Sequence, residues 1–333
     1  MFICFRCRGG KFYGWGNITR LSILANKLYK KGHKINFIYE GDKFIDKFLK
    51  KFSFKKIKLK EDITLKDEKK IFLKIKKIDY FFVEMLDIGI QLQKFYKTKT
   101  KNLIIFDDLL DKCYFSNYVI ACQDHSKTTQ KNIIKSNNTK LICNKKYFML
   151  PESFQKKECQ IKKINMNINS ILIFLGGGDY AGAYIKIAKS LIKTKIKKII
   201  FILTKSNYNS LYPILKSINK KFKILNGTSN SFKDFSKSDL AIVSGGYTKF
   251  ESAASLTPCI IILTQWHQGI IANNFCKANK VKNLGHYSVL AEKNLINEIS
   301  RLKKKSLREK IILNFKKNIS YDGTENLLKL FKL

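Results

Sequence analysis

Residues 239–264 read DLAIVSGGYTKFESAASLTPCIIILT and contain the pattern that decides the fold. A short apolar run at residues 240–243 has the length and composition of a buried strand. Two glycines interrupt it, small and apolar residues follow at helical spacing, and Pro258 begins a second apolar run at residues 259–263. The stretch therefore predicts a strand, a glycine turn, a helix and a second strand, which together form one βαβ unit.

The glycines of this stretch are a candidate phosphate site. Gly245 and Gly246 let a backbone or a phosphate approach where a side chain would clash. The helix expected from Thr248 would direct its unpaired N–H groups and the positive end of its dipole at an anion. Glu251 lies one turn into that helix, where a carboxylate could accept hydrogen bonds from a ribose diol. The alternative is a tight turn followed by a solvated glutamate, because a lone Gly-Gly turn is a weak motif.

Length and composition predict a folded protein with two domains. The chain has 333 residues, more than one ordinary core needs, and 45% of them are hydrophobic. No run approaches about 18 uncharged apolar residues, and the N-terminus lacks the pattern of a secretion signal. The eight cysteines are scattered, mostly in apolar contexts, as reduced core residues would be. We therefore expect a cytoplasmic protein.

The formal charge of +40 is the most unusual bulk property. It predicts attraction to anionic substrates and is compatible with peripheral contact to an anionic membrane surface. The lysines run along the whole chain, and we find no zinc finger, RNA-recognition signature or helix-turn-helix. We therefore expect no nucleic-acid partner. The alternative of a nucleic-acid-binding protein is supported by the charge alone.

Both halves of the chain alternate apolar runs with amphipathic segments, which predicts two doubly wound α/β domains. We expect a Rossmann-like domain at residues 1–155, a polar linker at 156–169 and a second Rossmann-like domain at 170–333, whose last helices return to the first domain. The cleft between two such domains is the natural active site. The predicted strands lie at residues 1–7, 34–39, 80–83, 103–106, 118–121, 171–175, 198–203, 222–225, 240–243 and 259–263.

Three motifs together resemble one family. Arg6 and the segment GWGNITR at residues 14–20 resemble the R…GxGHxxR motif of the UDP-sugar hydrolase of pseudaminic acid synthesis and of related spore-coat polysaccharide proteins. Residues 171–179 resemble the opening of their second domain. Residues 244–251 resemble the nucleotide-binding turn that these proteins share with GT-B glycosyltransferases, including the transferase that makes lipid II.

The resemblance implies a GT-B fold, a nucleotide-sugar substrate, no cofactor and no metal. Carried over by position, Gly245, Gly246 and Thr248 face the diphosphate and Glu251 faces the ribose. Gly14 and Gly16 let the first loop close over the sugar. The further substrate-binding positions implied are Arg20, Gly177, Gly178 and Gln268.

One departure from the family concerns the catalytic base. The family histidine that is expected to activate water is replaced by Asn17, whose amide cannot act as a general base. Asn17 also precedes a predicted helix and suits an N-cap, a role compatible with a sugar contact. His125 and His267 are the alternative bases, and for each an ordinary surface histidine is the competing interpretation. Asp124 and Asp179 are carboxylates at similar strand ends, and Glu84 is a second acidic position near the end of the first-domain sheet.

We therefore expect a metal-independent GT-B enzyme that cleaves a nucleotide-diphospho-sugar at the anomeric carbon for surface-glycan or nonulosonate synthesis. Similarity along the whole chain favours the hydrolase branch, whereas loss of the histidine favours a glycosyltransferase. A nucleotide-sugar-binding protein without catalysis is a further alternative. The sequence leaves the sugar and the acceptor open.

Overall fold

The computed structural model divides the chain into two compact units. The first consists of Met1–Met149 together with Asp322–Leu333, and the second of Leu150–Tyr321. The residues that the structure describes are 1–123, 125–136, 139–155, 161–178, 180–228 and 230–333.

A parallel sheet forms the centre of the first unit. Its strands are β1 (Phe2–Arg8), β2 (Lys34–Glu40), β3 (Lys55–Lys58), β4 (Ile78–Glu84), β5 (Thr100–Phe106), β6 (Tyr118–Ala121) and β7 (Lys140–Cys143). They lie in the order β3-β2-β1-β4-β5-β6-β7, so the direction of winding reverses between β1 and β4. The helices between them are α1 (Gly16–Lys30), α2 (Lys43–Leu49), α3 (Leu65–Leu73), α4 (Ile90–Lys99) and α5 (Lys127–Ser136).

The second unit repeats this plan. Its strands are β8 (Ser170–Phe174), β9 (Lys198–Leu203), β10 (Lys223–Asn226), β11 (Leu240–Val243), β12 (Cys259–Leu263) and β13 (Lys282–His286). Their order β10-β9-β8-β11-β12-β13 reverses between β8 and β11. The helices are α6 (Ala181–Leu191), α7 (Tyr208–Ile218), α8 (Ser231–Ser236), α9 (Thr248–Ala254), α10 (Gln268–Asn279), α11 (Glu292–Leu302) and α12 (Lys305–Asn318), and α13 (Gly323–Phe331) belongs to the first unit.

The predicted fold class of two doubly wound Rossmann-like domains is confirmed. The apolar runs became central strands because both faces of a parallel sheet are covered by helices, and every residue of β11 and β12 is buried. The prediction missed β3, β7 and β13. Each of them is an edge strand of its sheet, and most of its residues are partly exposed. The segment after residue 278, predicted to be helical, begins with β13.

No helix in the described part of the chain combines the length and apolar character needed to cross a bilayer.

Candidate functional site

The predicted phosphate turn lies at the switch point of the second sheet. The loop at residues 176–178 follows β8, and the glycine turn, which we define as residues 244–248, follows the neighbouring β11. In open α/β sheets, ligands bind outside the carboxyl ends of strands where the strand order reverses. The second unit therefore brings both predicted glycine segments to the position where such a sheet binds a ligand.

A buried lysine orients the glycine turn. Lys249 is 1% exposed, and its Nζ donates to the carbonyl oxygens of Gly245 at 2.6 Å and Gly246 at 3.0 Å. Because a trans peptide directs its N–H opposite to its carbonyl, the N–H groups of Gly246 and Tyr247 point away from Lys249. The sequence interpretation missed Lys249. Its signal was a single cation in a segment of otherwise small and apolar residues directly after the glycines.

Hydroxyl groups complete the turn. Thr248 Oγ1 lies 3.1 Å from Ser244 Oγ and accepts the Ser244 N–H at 3.2 Å. Both side chains are buried, at 2% and 3% exposure. Ser244 Oγ also accepts the N–H of Gly246 at 3.3 Å. These hydrogen bonds between buried groups hold the turn in one conformation.

The two glycines of the turn differ in the space around them. A Cβ built on Gly245 would lie 2.7 Å from Leu263 Cδ2 and 2.9 Å from Gln268 Cβ. The nearest atoms to a Cβ on Gly246 are 3.5 Å away and include Gln268 Nε2. Gln268 Oε1 accepts the N–H of Thr264 at 3.1 Å, which holds the amide beside Gly246. Gly245 is therefore required by packing, whereas a methyl group on Gly246 would make only ordinary van der Waals contacts.

The loop after β8 lies against the glycine turn. Gly176 has a φ of +95°, and a Cβ built on it would lie 3.7 Å from Thr248 Cγ2. Gly177 follows and is half-buried. Asp179, two residues further along the chain, lies outside the described residues. The structure therefore places the backbone of this loop beside Thr248, as expected for two segments that share one ligand.

Packing explains the last glycine of that loop. A Cβ on Gly178 would lie 2.3 Å from the Tyr180 ring, so no larger residue fits without a shift. The Gly178 carbonyl accepts a bond of 3.0 Å from Nδ2 of the buried Asn207, which precedes α7. Asn207 was absent from the predicted site and is a structural support for the loop.

Glu251 is buried in the second unit. It is 7% exposed, and Ser231 Oγ donates a bond of 2.7 Å to its Oε1. Burial raises the pKa of this carboxyl to about 7, although the bond from Ser231 lowers it. The alternative interpretation of a solvated glutamate is therefore wrong. A buried carboxylate one turn from the glycine turn is suited to accept hydrogen bonds from hydroxyl groups.

The first loop has a defined conformation in the first unit. Gly10 and Gly14 exchange two backbone hydrogen bonds of 2.8 Å, and Gly14 has a φ of 73° that favours glycine. Gly16 is the first residue of α1, so Asn17 lies inside the helix and is half-buried. The expectation that Asn17 caps the helix is wrong, because Trp15 occupies the cap position and no side-chain bond is made there.

Arg20 is the centre of a buried ionic cluster at the carboxyl end of the first sheet. Its Nη1 donates to Asp108 Oδ2 at 2.7 Å, and its Nη2 bonds Glu84 Oε1. Asp108 Oδ1 accepts the N–H of Cys122 at 2.6 Å, and the guanidinium lies 5.4 Å from the centre of the Phe148 ring. We call Arg20, Glu84 and Asp108 the Arg20 cluster. The sequence interpretation named Arg20 and Glu84 separately and missed their association with Asp108.

The two candidate histidines occupy different environments. His125 Nε2 lies 2.9 Å from the carbonyl oxygen of Asp108, and since a carbonyl only accepts, Nε2 carries the proton. His125 therefore lies beside the Arg20 cluster. His267 is exposed and directly precedes α10 in the second unit. Asp124 lies outside the described residues.

Arg6, a residue of the family motif, has a structural role. It is fully buried, donates to Glu68 Oε1 at 2.7 Å and bonds Glu40. Arg8 and Glu68 line a cavity of about 410 Å³ between the β1 end and α4. Within the described residues, no group of three or more His, Cys, Asp and Glu side chains is arranged to hold a metal ion.

Comparison with known proteins finds no matching family model. The chain is 24% identical over 303 residues to the spore coat polysaccharide biosynthesis protein SpsG of Bacillus subtilis, which covers 88% of this chain and 86% of SpsG.

Solved structures extend the likeness to the whole chain. Anabaena HepE in complex with UDP and glucose is 13% identical with a TM-score of 0.62, covering 100% of this chain and 99% of HepE. Phytolacca americana UGT2 complexed with UDP-2-fluoro-glucose and pterostilbene is 10% identical with a TM-score of 0.66, covering 100% of this chain and 99% of UGT2. The likeness shows the GT-B fold.

Proposed function

We propose that this chain, which is similar to SpsG along most of its length and has the GT-B fold, is an enzyme that cleaves a nucleotide-diphospho-sugar, most specifically a UDP-sugar, at the anomeric carbon. The proposed reaction belongs to the biosynthesis of a surface glycan. The similarity to SpsG and the UDP ligands of the two structural neighbours support this assignment.

The observation that carries the proposal is the arrangement of the glycine turn. Lys249 holds the carbonyls of Gly245 and Gly246, so the N–H side of the turn faces away from the buried ammonium. Backbone N–H groups oriented in this way can bind a diphosphate once the Gly246 N–H exchanges its bond to Ser244 Oγ for a phosphate oxygen, and they stabilise the charge that develops when the diphosphate leaves. The absence of a side chain at Gly246, whose built Cβ would lie 3.5 Å from Gln268 Nε2 and Ser244 Oγ, places these polar atoms next to the proposed diphosphate.

Neighbouring side chains have complementary roles in the proposal. In this proposal Thr248 and Gln268, whose side chains border the turn, position the diphosphate together with the loop at Gly177 and Gly178. Glu251 binds the ribose hydroxyls through its buried carboxylate. A bond from a hydroxyl to a carboxylate contributes about 1–3 kcal/mol, and burial keeps water from competing for it.

Hydrolysis is the first candidate reaction, since SpsG similarity extends along most of the chain. Transfer to a sugar hydroxyl is the second, and Asn17 is the observation that favours it. Asn17 lies within the first turn of α1 and has no titratable group, so the water-activating residue of the related hydrolase has no counterpart at this position.

The test begins with calorimetric titration of the full chain with UDP, CMP, GDP and dTDP and with their sugar conjugates. We expect UDP to bind and the other nucleotides to bind at least tenfold more weakly. Phosphorus NMR then follows release of UDP from each bound UDP-sugar, with and without added acceptor sugars. Release in water alone identifies a hydrolase, and acceptor-dependent release identifies a transferase. Failure of every nucleotide to bind contradicts the proposal.

Peripheral contact with an anionic membrane stays a prediction from the charge of +40. So does the absence of a nucleic-acid partner. A vesicle-flotation assay with and without anionic lipid, and a gel-shift assay with DNA and RNA, test the two predictions separately.

A further inference from the structure

The loop that follows β12 carries an exposed tryptophan. We define the β12 loop as residues 264–268. Trp266 at its centre is 66% exposed, whereas His286, the last residue of β13, is 8% exposed. The two rings are stacked, with their centres 4.3 Å apart and an angle of 17° between their planes. One face of the indole therefore covers the imidazole, and the exposed area of the ring belongs to its outer face and edges.

Hydrogen bonds hold the β12 loop in place. The hydroxyl of Tyr180, which precedes α6, bonds the side chains of Thr264 and Gln265. The N–H of Gly269 donates to the carbonyl oxygen of Trp266 at 3.1 Å. The indole is therefore exposed on a loop whose backbone and side chains are fixed by the protein.

The imidazole under the indole is fixed as well. His286 Nδ1 lies 2.8 Å from Ser288 Oγ, and the ring of Tyr287 lies 4.6 Å from the imidazole between ring centres. Tyr287 in turn lies against α6, where a Cβ built on Gly182 would be 3.1 Å from its Cε2. Rigid aromatic rings offer a large contact area at a low cost in conformational entropy. The stack of Trp266 on His286 is therefore a preformed surface for a ligand.

The β12 loop borders the proposed diphosphate site. β12 pairs in parallel with β11, so the β12 loop and the glycine turn leave the sheet at the same edge. Gln268, two residues after Trp266, borders the turn, since its Nε2 would lie 3.5 Å from a Cβ built on Gly246. The indole therefore belongs to the same edge of the same unit as the glycine turn.

The helices beside α9 give the direction in which the proposed ligand extends. Glu251 faces α8, because Ser231 at the start of that helix bonds its carboxylate. Phe250 faces α10, because its ring packs edge-on against Phe275 with the ring centres 5.3 Å apart. With the ribose at Glu251 and the diphosphate at the glycine turn, the sugar continues away from α8, toward the start of α10 and the β12 loop.

The outer face of the indole selects the chemistry of its partner. The face of an aromatic ring carries partial negative charge, so it attracts C–H groups and disfavours an anion. A pyranose ring presents C–H groups on its face and hydroxyl groups around its edge. A nucleobase also stacks on aromatic rings, but Glu251 holds the nucleoside on the α8 side in the proposed arrangement. An uncharged pyranose is therefore the part of the ligand that suits Trp266.

We infer that Trp266 is the residue on which the sugar ring of the UDP-sugar stacks, and that this sugar is an uncharged pyranose. The inference rests on the proposed function and deepens it, because it names a residue and a class of sugar for the same site. Trp266 binds the sugar and takes no part in bond cleavage.

The test uses four variants of the full chain. Trp266→Ala removes the stacking surface, and Trp266→Phe keeps a smaller one. Tyr212→Ala is the matched control, since Tyr212 is also a partly exposed ring of the second unit that packs on another ring, that of Tyr208 on α7. The chain contains two tryptophans, so Trp15→Phe leaves Trp266 as the only indole that fluoresces. The ligands are UDP and UDP-2-fluoro-glucose, whose fluorine slows cleavage during the measurement.

We expect Trp266→Ala to weaken UDP-2-fluoro-glucose binding about tenfold, the effect of returning on the order of 60 Å² of apolar surface to water, and to change UDP binding less than about twofold. Trp266→Phe should lie between Trp266→Ala and wild type, and Tyr212→Ala should match wild type for both ligands. Calorimetric titration measures the affinities, and thermal melts check folding. In Trp15→Phe, the emission should move to shorter wavelength with UDP-2-fluoro-glucose, because the sugar displaces water from the ring, and stay unchanged with UDP.

Three results would overturn the inference and leave the proposed function intact, since wild type would still bind UDP. The first is a folded Trp266→Ala that binds both ligands like wild type. The second is an equal loss for UDP and UDP-2-fluoro-glucose, or an emission shift with UDP alone, which would place the nucleobase on the indole. The third, decisive if Trp266→Ala does not fold, is a Trp15→Phe emission that the sugar does not change. A wild type that binds neither ligand would overturn both proposals.

Discussion

Ser231 Oγ donates a hydrogen bond of 2.7 Å to Glu251 Oε1, which joins the start of α8 to the first turn of α9. The bond holds a buried carboxylate in one orientation beside the glycine turn. A preoriented acceptor loses less entropy when a ligand binds than a solvated one does. The same bond explains why the carboxylate is tolerated at 7% exposure.

Substitution of Glu251 tests the proposed ribose contact. We expect Glu251→Gln to weaken UDP binding by about 1–3 kcal/mol, because it replaces a charge-assisted hydrogen bond with a neutral one. Calorimetric titration with UDP measures the change. Ser231→Ala is the control, and it should weaken binding by a smaller amount because the charge remains. Equal UDP affinity in wild type and folded Glu251→Gln would remove Glu251 from the site.

The raised pKa of Glu251 predicts a pH-dependent stability. In the folded protein this pKa is about 7 against an ordinary value of 4.5. Between these values the folded state keeps a proton that the unfolded chain releases, so the free energy of unfolding falls as pH rises from about 5 to 7. Glu251→Gln lacks this dependence and should gain stability relative to wild type over that range, by up to about 1.4 kcal/mol per pKa unit. Urea titrations at pH 5, 6, 7 and 8 measure the difference, and parallel curves would contradict the assignment.

The two glycines of the turn predict different effects of the same substitution. Gly245→Ala places a Cβ 2.7 Å from Leu263 Cδ2, so we expect a loss of about 1–3 kcal/mol in the free energy of unfolding. Gly246→Ala meets nothing closer than 3.5 Å, so the fold should be unchanged. Its methyl group fills the space proposed for the diphosphate, however, and should weaken UDP binding. Thermal melts and UDP titrations of the pair separate packing from ligand contact. If Gly246→Ala binds UDP like wild type, the diphosphate does not approach this face.

Metal removal should leave the reaction unchanged. Tyr114 OH donates a bond of 2.7 Å to Asp107, and Arg20 bonds Asp108, so this aspartate pair is engaged by protein groups. The diphosphate is proposed to be held by backbone N–H groups. We expect UDP release to proceed at the same rate in excess EDTA, followed by phosphorus NMR. Loss of activity in EDTA with recovery on adding Mn²⁺ or Mg²⁺ would overturn the metal-independent assignment.

The fold was predictable because central strands of a parallel sheet are continuous apolar runs. CIIIL at Cys259–Leu263 is buried at every position, so its character is visible without any structure. KKIK at Lys55–Lys58 forms an edge strand of the first sheet, with both end residues exposed and neither middle residue fully buried, and its composition does not differ from that of the lysine-rich loops. An edge strand of this kind can be identified only from the strand with which it pairs, and the sequence does not show that pairing.

The sequence predicted only those parts of the candidate site whose residues lie close together in the chain. The glycine turn and Glu251 lie within one short segment, so spacing alone associates them. The bond from Arg20 to Glu84 joins residues 64 positions apart, and its partner Asp108 comes from a further strand. The packing of β1, β4 and β5 brings these side chains together, and no short sequence pattern indicates that packing.

Asn17→His tests whether the first unit retains a pocket for a base on α1. Asn17 is half-buried, three residues before Arg20 on the helix, and residues at this spacing are neighbours. A neutral imidazole there would lie beside the Arg20 cluster, and a positioned base contributes about 10²–10⁴-fold. We expect hydrolysis of a bound UDP-sugar to rise at least tenfold in Asn17→His. Stability should change by less than about 1 kcal/mol, since Asn17 makes no capping bond. UDP release in water, measured for wild type and Asn17→His at pH 7 and 8, checks this. A wild type that already hydrolyses the UDP-sugar at the rate of Asn17→His would show that the residue at this position does not limit the reaction.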